Sequence, residues 1–220
     1  MNEKKFAIIV AGGSGSRMQS EIPKQFLFLK DKPIIAHTIN TFLKCNCHII
    51  VVLPENHLNT FKNTLLTHCD SENIELVIGG KTRFESVKNG LSSVNENALV
   101  AIHDAVRPFV TTEIINTSFE TAKEYGSAIC SVDLKDSIRF VSKSGNESKD
   151  RTQFKLIQTP QTFQSTLLLA AYSQEYNDSF TDDASVLEAN GGKIQLIEGD
   201  YKNIKITTPE DLLVANAFIR

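Results

Sequence analysis

Residues 7–27 read AIIVAGGSGSRMQSEIPKQFL, an apolar run followed by a glycine-rich segment. The apolar run that ends at Ala11 predicts a buried strand, and it leads directly into a glycine-rich loop. Loops of this kind after a strand commonly bind phosphate through their backbone N–H groups. Arg17 and Lys24 add two cations, so the segment is suited to a polyphosphate.

The loop matches neither of the two common nucleotide-binding fingerprints. It lacks the GxxxxGK[ST] pattern of P-loop NTPases, and Met18 stands where the dinucleotide fingerprint GxGxxG has its third glycine. From the glycines alone, a purely structural turn is an equally open interpretation. The spacing of Arg17 and Lys24 favours a triphosphate, whose departing pyrophosphate two cations would stabilise.

Composition narrows the class of protein. The chain has 220 residues, enough for a single domain, and its 41% hydrophobic and 22% charged residues are typical of a soluble globular protein. A net charge of −3 without a basic block argues against a nucleic-acid partner. No apolar run approaches the roughly 18 residues of a membrane span, and the first one is too short for a signal peptide. Four cysteines without a CxxC pair indicate a reducing cytoplasm.

Apolar runs alternate with segments of helical periodicity along the chain. The predicted strands are 6–11, 48–53, 74–78 and 99–103, and a later one is 193–199. The predicted helices are 33–44 with Pro33 at its first position, 56–69, 82–93, a segment near 164–176, 182–190 and one from Pro209. This alternation predicts a Rossmann-like, doubly wound and mostly parallel α/β sheet with ligands at the carboxyl ends of its strands.

The alternation breaks at about 133–157. Two alternating segments flank SKSGNESKD (142–150), which is typical of a β-hairpin. A two-stranded arm is marginally stable alone in water, so we expect it to pack on another subunit of a homodimer. The chain is therefore predicted to be one domain, 1–220, with this arm inserted.

Two motifs place charged residues near the predicted ligand edge. HDAVRPF (103–109) puts Asp104 just past a strand, where its carboxylate could hold Mg2+, although a turn or cap role is the alternative for a strand-end aspartate. GGKTRFESVKNGL (79–91) joins a glycine turn to a helix whose first turn carries Arg83 and Ser86. A capped amphipathic helix is the alternative interpretation of that segment.

Two later motifs begin helices. TDDASVLE (181–188) has the pattern of an N-cap with an acidic first turn. NIKITTPEDL (203–212) places Lys205 on a predicted strand ahead of a Thr-Pro-Glu helix start. Both motifs thus put polar groups at the ends of elements.

The ordered set of motifs, together with DRTQFKLIQTPQTF, resembles the cytidylyltransferases that make 4-diphosphocytidyl-2-C-methyl-D-erythritol in the non-mevalonate isoprenoid pathway. The resemblance covers nearly the whole chain. It implies CTP, Mg2+ and a sugar-alcohol phosphate, whose phosphate attacks the α-phosphorus of CTP while pyrophosphate leaves. Catalysis would then consist of positioning and charge stabilisation, without a covalent intermediate.

The resemblance also implies site residues. The implied catalytic residues are Arg17, Lys24, Arg151 and Lys205, of which the last two orient the attacking phosphate. The implied CTP-binding residues are Ala11, Gly12, Gly13, Ser14, Gly15, Gly79, Gly80, Arg83, Ser86, Asp104 and Ala105, with Asp104 also the Mg2+ ligand. The implied sugar-phosphate pocket and its support are Arg107, Asp136, Ser137, Thr159 and Thr181. In the family the arm carrying Arg151 reaches over a partner subunit, whereas the sequence alone also allows Arg151 to be a charge on a solvated hairpin.

The chain departs from the family pattern at two positions, and two other functions are compatible with parts of its sequence. Lys81 stands where many relatives have an acidic residue, and Ser137 where some have threonine. The nearest rival is a ribitol-5-phosphate cytidylyltransferase, which typically diverges at TDDASVLE and DRTQF. A nucleotide-binding regulator or NAD-dependent oxidoreductase is a different class, which the missing third glycine and the set of charged residues disfavour.

Overall fold

A seven-stranded sheet forms the centre of the molecule. The computed structural model describes residues 4–12, 22–70, 72–94 and 97–219, and within them the sheet has the order β11-β7-β10-β6-β1-β4-β5. The strands are β1 Lys4–Val10, β2 Phe28–Leu29, β3 Lys32–Pro33, β4 His48–Leu53, β5 Ile74–Ile78, β6 Ala98–Asp104, β7 Ser127–Asp133, β8 Ile138–Ser142, β9 Gly145–Lys149, β10 Lys155–Gln164 and β11 Leu196–Glu198. Only β10 runs antiparallel to its neighbours in this sheet, so the sheet is mostly parallel, as predicted.

Helices cover both faces of the sheet. They are α1 Ile34–Leu43, α2 Leu58–His68, α3 Arg83–Leu91, α4 Thr112–Tyr125, α5 Ser165–Ala171, α6 Asp183–Ala189 and α7 Pro209–Phe218. Alternate residues of β1 enter different cores: Ile9 packs with side chains of α1, α2 and α4, and Ile8 with those of α3, α5 and α6. Burial on both faces explains why the strands are continuous apolar runs. The doubly wound prediction is confirmed.

The sheet order creates a cleft beside β1. The chain proceeds from β1 to β4 and β5 on one side and then crosses to β6 on the other side. Loops that leave the carboxyl ends of β1 and β6 therefore diverge, which is the usual ligand position in such sheets. Val10 is in register with Asp104, and Ala105 N–H donates to the Val10 carbonyl oxygen at 3.1 Å.

Helix α4 was not among the sequence predictions. Its ends carry clear signals, since the Thr111 side chain accepts from Ile114 N–H and Gly126 adopts φ 90° at the C-cap. Its buried face includes Ile115 and Phe119. The helix and the β7 strand after it fill the stretch before the arm.

Other element boundaries also differ from the predictions. Pro33 is the N-cap of α1 rather than its first residue, because Lys32 and Pro33 pair with β2. The predicted strand 193–199 shortens to β11, and the predicted helix 164–176 ends at Ala171. Lys205 lies outside any strand, although Ile206 N–H donates to the Val106 carbonyl oxygen at 2.9 Å.

The predicted hairpin is confirmed. Strands β8 and β9 form a separate two-stranded sheet whose register runs from Ile138 opposite Lys149 to Ser142 opposite Gly145. The hairpin has exposed apolar side chains, with Val141 74% exposed. In the sequence the hairpin lies between β7 and β10. The first three residues of β10 are also exposed.

The cysteines and the lengths of the helices were also considered in the sequence predictions. The four cysteines are free thiols, and burial raises the pKa of Cys47 and of Cys130 to about 12. Across the described ranges, every helix is too short or too polar to cross a bilayer.

Candidate active site

A cleft of about 250 Å3 opens at the carboxyl ends of β1 and β6. Its wall includes the loop after β1, the loop between β5 and α3, the turn after β6 and the segment before α7. The predicted site residues on this wall are Ala11, Gly12, Lys24, Gly80, Arg83, Ser86, Asp104, Ala105 and Lys205. Residues far apart in sequence thus meet at the edge that the strand pattern predicted.

Asp104 is the central anion of the cleft. Its Oδ2 accepts a hydrogen bond from Arg107 Nε at 3.1 Å and forms an ion pair with Lys205 Nζ, also at 3.1 Å, and the residue is only 7% exposed. Burial opposes ionisation of the carboxyl group, but Lys205, Arg83 and Arg107 outweigh it and hold the pKa of Asp104 well below its usual range. Asp104 is therefore ionised at neutral pH.

The loop between β5 and α3 forms one wall and is held by its own side chains. Gly80 N–H donates to Ser86 Oγ at 3.2 Å, and the Ser86 hydroxyl donates to the Thr82 carbonyl oxygen at 2.8 Å. Thr82 and Glu85 form a capping box that starts α3. A side chain at Gly80 would place its Cβ 2.2 Å from Glu85 Cβ, so only glycine fits. The loop therefore presents rigid backbone to a ligand.

Arg83 is fixed on this wall by a buried carboxylate. Its two terminal nitrogens donate to the two oxygens of Asp183 at 2.8 and 2.6 Å, and Asp183 is fully buried. The Tyr172 hydroxyl donates to Asp183 Oδ1 at 2.6 Å. Burial opposes the charge on Arg83, but Asp183 outweighs it and raises the pKa of the guanidinium. The pair joins α3 to α6 across the cleft wall.

The loop after β1 supplies another part of the cleft wall. Gln25 Nε2 donates to the Ala11 carbonyl oxygen at 2.8 Å, which fixes the start of the loop against the short 3-10 helix Lys24–Phe26. Lys24 is 9% exposed and lies on the cleft wall. The predicted residues Gly13, Ser14, Gly15 and Arg17 lie outside the described residues.

Three predicted residues lie behind the wall rather than on it. Gly79 N–H donates to the Leu53 carbonyl oxygen at 3.0 Å, below the loop that carries Gly80. Arg107 binds Asp104 from beneath, with a side chain 12% exposed. The buried Thr159 hydroxyl accepts from Asp104 N–H at 3.1 Å and contacts the ring of His103.

The remaining predicted residues do not reach the cleft of their own chain. Arg151, Asp136 and Ser137 are exposed at the base of the arm, and Arg151 Nη1 donates to the Lys135 carbonyl oxygen. Thr181 is exposed just before α6. The cleft wall in a single chain thus contains Lys205 but not Arg151.

Mg2+ fits the cleft only together with a phosphate ligand. Among the described residues there is no group of three or more histidine, cysteine or carboxylate side chains that could hold a metal. In both ion pairs of Asp104 the oxygen nearest to the cation is Oδ2, at 3.1 Å. Because Mg2+ is commonly bound by one or two carboxylates plus substrate phosphates, this single carboxylate suits it.

Sequence reasoning missed the residues that hold the site from behind. Asp183 was interpreted as an acidic first-turn residue, whereas its partner Arg83 lies 100 positions away. His103 and Asn203 are fully buried, and burial lowers the pKa of His103 to about 4. The sequence offers one indication of these roles: Asp183, His103 and Asn203 each belong to a motif rich in charged and polar residues.

Comparisons with known proteins agree with this geometry. The family model for 2-C-methyl-D-erythritol 4-phosphate cytidylyltransferase matches residues 6–220. The enzyme of that name from Bacteroides thetaiotaomicron is 46% identical over 218 residues, covering 98% of this chain and 100% of the relative. That from Phocaeicola vulgatus is 45% identical, covering 98% and 99%. The crystal structure of 4-diphosphocytidyl-2C-methyl-D-erythritol synthase from Anaerococcus prevotii superposes with a TM-score of 0.85 at 29% identity, covering 99% and 96%.

Proposed function

Because the chain belongs to the family of 2-C-methyl-D-erythritol 4-phosphate cytidylyltransferases, we propose that its cleft joins CTP to 2-C-methyl-D-erythritol 4-phosphate. The products are 4-diphosphocytidyl-2-C-methyl-D-erythritol and pyrophosphate, and the reaction serves isoprenoid precursor biosynthesis. The observation that carries this proposal is the Asp104–Lys205 pair, which lines one cleft together with Lys24 and Arg83. The relatives give no support to the ribitol 5-phosphate alternative.

The described residues suit each part of this reaction. Lys24 and Lys205 provide positive charge where negative charge accumulates as the α-phosphorus is attacked and pyrophosphate leaves, and Arg17 is proposed to do the same. The rigid backbone at Gly80 suits the small pyrimidine ring of CTP. The cations and the backbone hold two anionic substrates together, which is a large part of the catalysis of such a transfer.

Mg2+ is proposed as the cofactor. Asp104 would hold it, and the ion would neutralise charge on the phosphates of CTP. Lys205 and Arg107 keep Asp104 ionised without it, so the carboxylate is ready for a hard cation.

The arm is proposed to act between two subunits in the cytoplasm. It has exposed apolar side chains and little core of its own, so we expect a second copy of the chain to bury these side chains. Because Arg151 does not line the cleft of its own chain, we propose that it contacts methylerythritol phosphate in the partner's cleft, together with Asp136 and Ser137. Thr181, near α6, is proposed to complete the sugar-phosphate pocket.

A comparison of substrates tests the proposed function. The protein is incubated with CTP, Mg2+ and either methylerythritol phosphate or ribitol 5-phosphate, and pyrophosphate release is measured. We expect release with methylerythritol phosphate to exceed that with ribitol 5-phosphate by at least about 100-fold, since a site that pairs with specific hydroxyl groups rejects a mismatched polyol strongly. Equal rates, or a preference for ribitol 5-phosphate, would reject the assignment.

A further inference from the structure

Gln161 is a buried polar residue that the proposed chemistry does not use. It lies on β10, opposite Ile102 of β6 and Ile129 of β7, and it is only 1% exposed. An amide group at this depth is stable only where hydrogen bonds satisfy both its oxygen and its nitrogen. The partners of the two amide atoms therefore indicate what this side chain does.

Both partners belong to the start of α6. Gln161 Oε1 accepts from Ala184 N–H at 2.9 Å, and Gln161 Nε2 donates to Asp182 Oδ2 at 2.9 Å. Asp182 is the N-cap of α6, and its Oδ1 accepts from Ser185 N–H at 2.9 Å. The first N–H groups of a helix have no acceptor within the helix. Gln161 thus adds a second cap, supplied by a strand, that ties the start of α6 to β10.

The start of α6 carries a residue for each proposed substrate. Asp183 binds both terminal nitrogens of Arg83, at 2.8 and 2.6 Å, and Arg83 lines the cleft. Thr181 directly precedes the N-cap and is proposed to belong to the sugar-phosphate pocket. Thr159, which the family resemblance assigns to the same pocket, lies two residues before Gln161 on β10. A shift of α6 relative to β10 would therefore displace the nucleotide wall and part of the sugar-phosphate pocket together.

We propose that Gln161 is a positioning residue that fixes the start of α6 on β10 and thereby keeps Arg83 and Thr181 in place for the two substrates. The inference rests on the proposed function. Gln161 acts through α6, because the described wall of the cleft does not include it. A positioning role predicts weaker binding of both substrates. A purely structural role instead lowers the amount of folded protein, and thus the apparent kcat, at unchanged KM.

Two leucine variants on the same strand provide the first test. Gln161→Leu removes both hydrogen bonds to α6, whereas Gln164→Leu removes a side chain that donates to the carbonyl oxygens of Ala122 and Lys123 on α4. We expect Gln161→Leu to raise KM for both substrates about 10-fold, because a misplacement of about 1 Å can cost up to about 100-fold and α6 keeps its own cap. CTP affinity, measured by calorimetry without methylerythritol phosphate, should fall by a similar factor. Gln164→Leu should keep both KM values within about twofold.

Gln161→Glu provides a second test that keeps the shape of the side chain. Its carboxylate would place an oxygen, in the position of Nε2, about 2.9 Å from Asp182 Oδ2, and two such charges repel each other. A single shared proton restores the hydrogen bond. The other charged or titratable groups at the start of α6 are Asp183, Arg83 and Tyr172, which bind one another. The wild-type protein contains them too, so KM is expressed as the ratio of variant to wild type at each pH.

The ratio for Gln161→Glu should depend on pH. We expect the KM ratio for CTP to lie within about threefold of one at about pH 5.5 and to rise to about 10-fold by about pH 9, as the shared proton is lost. The ratio for Gln161→Leu should not change with pH, because leucine does not titrate. If Gln161→Leu does not fold, Gln161→Glu tests the proposal alone, since its protonated form retains both hydrogen bonds.

Three results would overturn the proposal. They are a lower kcat at unchanged KM in Gln161→Leu, an equal rise of KM in Gln164→Leu, and a KM ratio for Gln161→Glu that does not rise with pH. Failure of the proposed function is distinguished by the wild-type protein, which would then release no pyrophosphate with methylerythritol phosphate.

A double variant tests the route from Gln161 to the nucleotide. If Gln161 acts on CTP through Asp183 and Arg83, then Gln161→Leu combined with Asp183→Asn should lose no more CTP affinity than the larger of the two single losses. Losses that multiply would contradict this route.

Discussion

Asp183 holds the guanidinium of Arg83, which we propose borders CTP, on one wall of the cleft. It is fully buried, binds both terminal nitrogens of Arg83 and receives the Tyr172 hydroxyl. A buried carboxylate is stable only when such partners satisfy it. Arg83 in turn is kept from rotating away from the wall. The ion pair thus links the stability of α6 to the shape of the nucleotide site.

Asp183→Asn tests this link. The amide keeps the shape but removes the charge opposite Arg83, so we expect the free energy of unfolding to fall by about 3 kcal/mol. KM for CTP should rise about 10-fold, because the guanidinium is no longer fixed. Urea unfolding and steady-state kinetics measure the two effects.

Tyr172→Phe is the matched control for that variant. It removes one hydrogen bond to the carboxylate but leaves the ion pair, so the loss of unfolding free energy should be about 1–2 kcal/mol with little change in KM. An equal effect of both substitutions on KM would show that the charge of Asp183 does not matter.

Residues on the cleft wall could be predicted from motifs, but the residues that hold them in place could not. Asp104 ends β6, which the hydrophobic pattern predicts, so its place at this edge follows from the fold class. The roles of Asp183 and Asn203 depend on partners about 100 and 44 positions away. A local sequence pattern cannot indicate a partner so far away in the sequence.

At the scale of elements, the start of α7 determines the path of the segment that carries Lys205. Asp211 Oδ2 accepts from Thr207 N–H and Oγ1 and from Thr208 N–H at 2.8–2.9 Å. Burial opposes the charge, but these hydrogen bonds outweigh it and lower the pKa of Asp211. The carboxylate therefore fixes the turn that separates Lys205 from the helix.

Asp211→Asn should destabilise the protein in a pH-dependent way. A carboxyl group whose pKa is lower in the folded protein adds stability that is complete above its unfolded pKa and is lost as the pH falls through its folded pKa. We expect a loss of about 1 kcal/mol at pH 7. This loss should shrink as the pH falls below 3.8, the ordinary pKa of aspartate, and through the lower pKa of the folded protein, as measured by urea unfolding.

Glu210→Gln is the control for that prediction. It makes the same change of charge one residue earlier on an exposed position of the first turn of α7. It should cost less than about 0.5 kcal/mol at pH 7. If the two variants behaved alike, the effect would be one of helix charge rather than of the Asp211 hydrogen bonds.

The elements themselves were predictable to different extents. Three strands, β1, β4 and β6, are buried on both faces, and their continuous apolar runs predict them. Helix α4 contains Thr and Asn, which have weak intrinsic helix propensity, between its apolar residues. Its buried face is periodic, but this composition makes the helix hard to recognise from the sequence. β11 forms only because β7 offers an edge, and a three-residue strand leaves almost no periodicity to detect.

At the scale of the whole molecule, the arm raises the question of how many chains make one active site. Complementation between two inactive variants, Arg151→Ala and Lys24→Ala, tests the proposed exchange. In a mixed dimer both lesions fall in one cleft and the other cleft is intact. Refolding the two variants together should therefore restore up to about a quarter of wild-type activity, if subunits pair at random.

Each variant refolded alone is the control and should be nearly inactive. If Arg151 served its own chain, every cleft in the mixture would carry one lesion and no activity would return. A monomer in sedimentation analysis would exclude the proposed exchange as well.

The distribution of charge around the cleft also has a consequence for how substrates arrive. Among its described wall residues, Lys24, Lys81, Arg83 and Lys205 are cationic and Asp104 is anionic, whereas the whole chain carries −3. An anionic nucleotide therefore meets a weak net repulsion from the chain as a whole and an excess of positive charge at the cleft. Such a contrast focuses the electric field and raises encounter rates at low ionic strength. The lysines and the arginine on the cleft wall would therefore also guide diffusing anionic substrates to it, and salt at about 0.1 M would screen that guidance beyond about 10 Å from the opening.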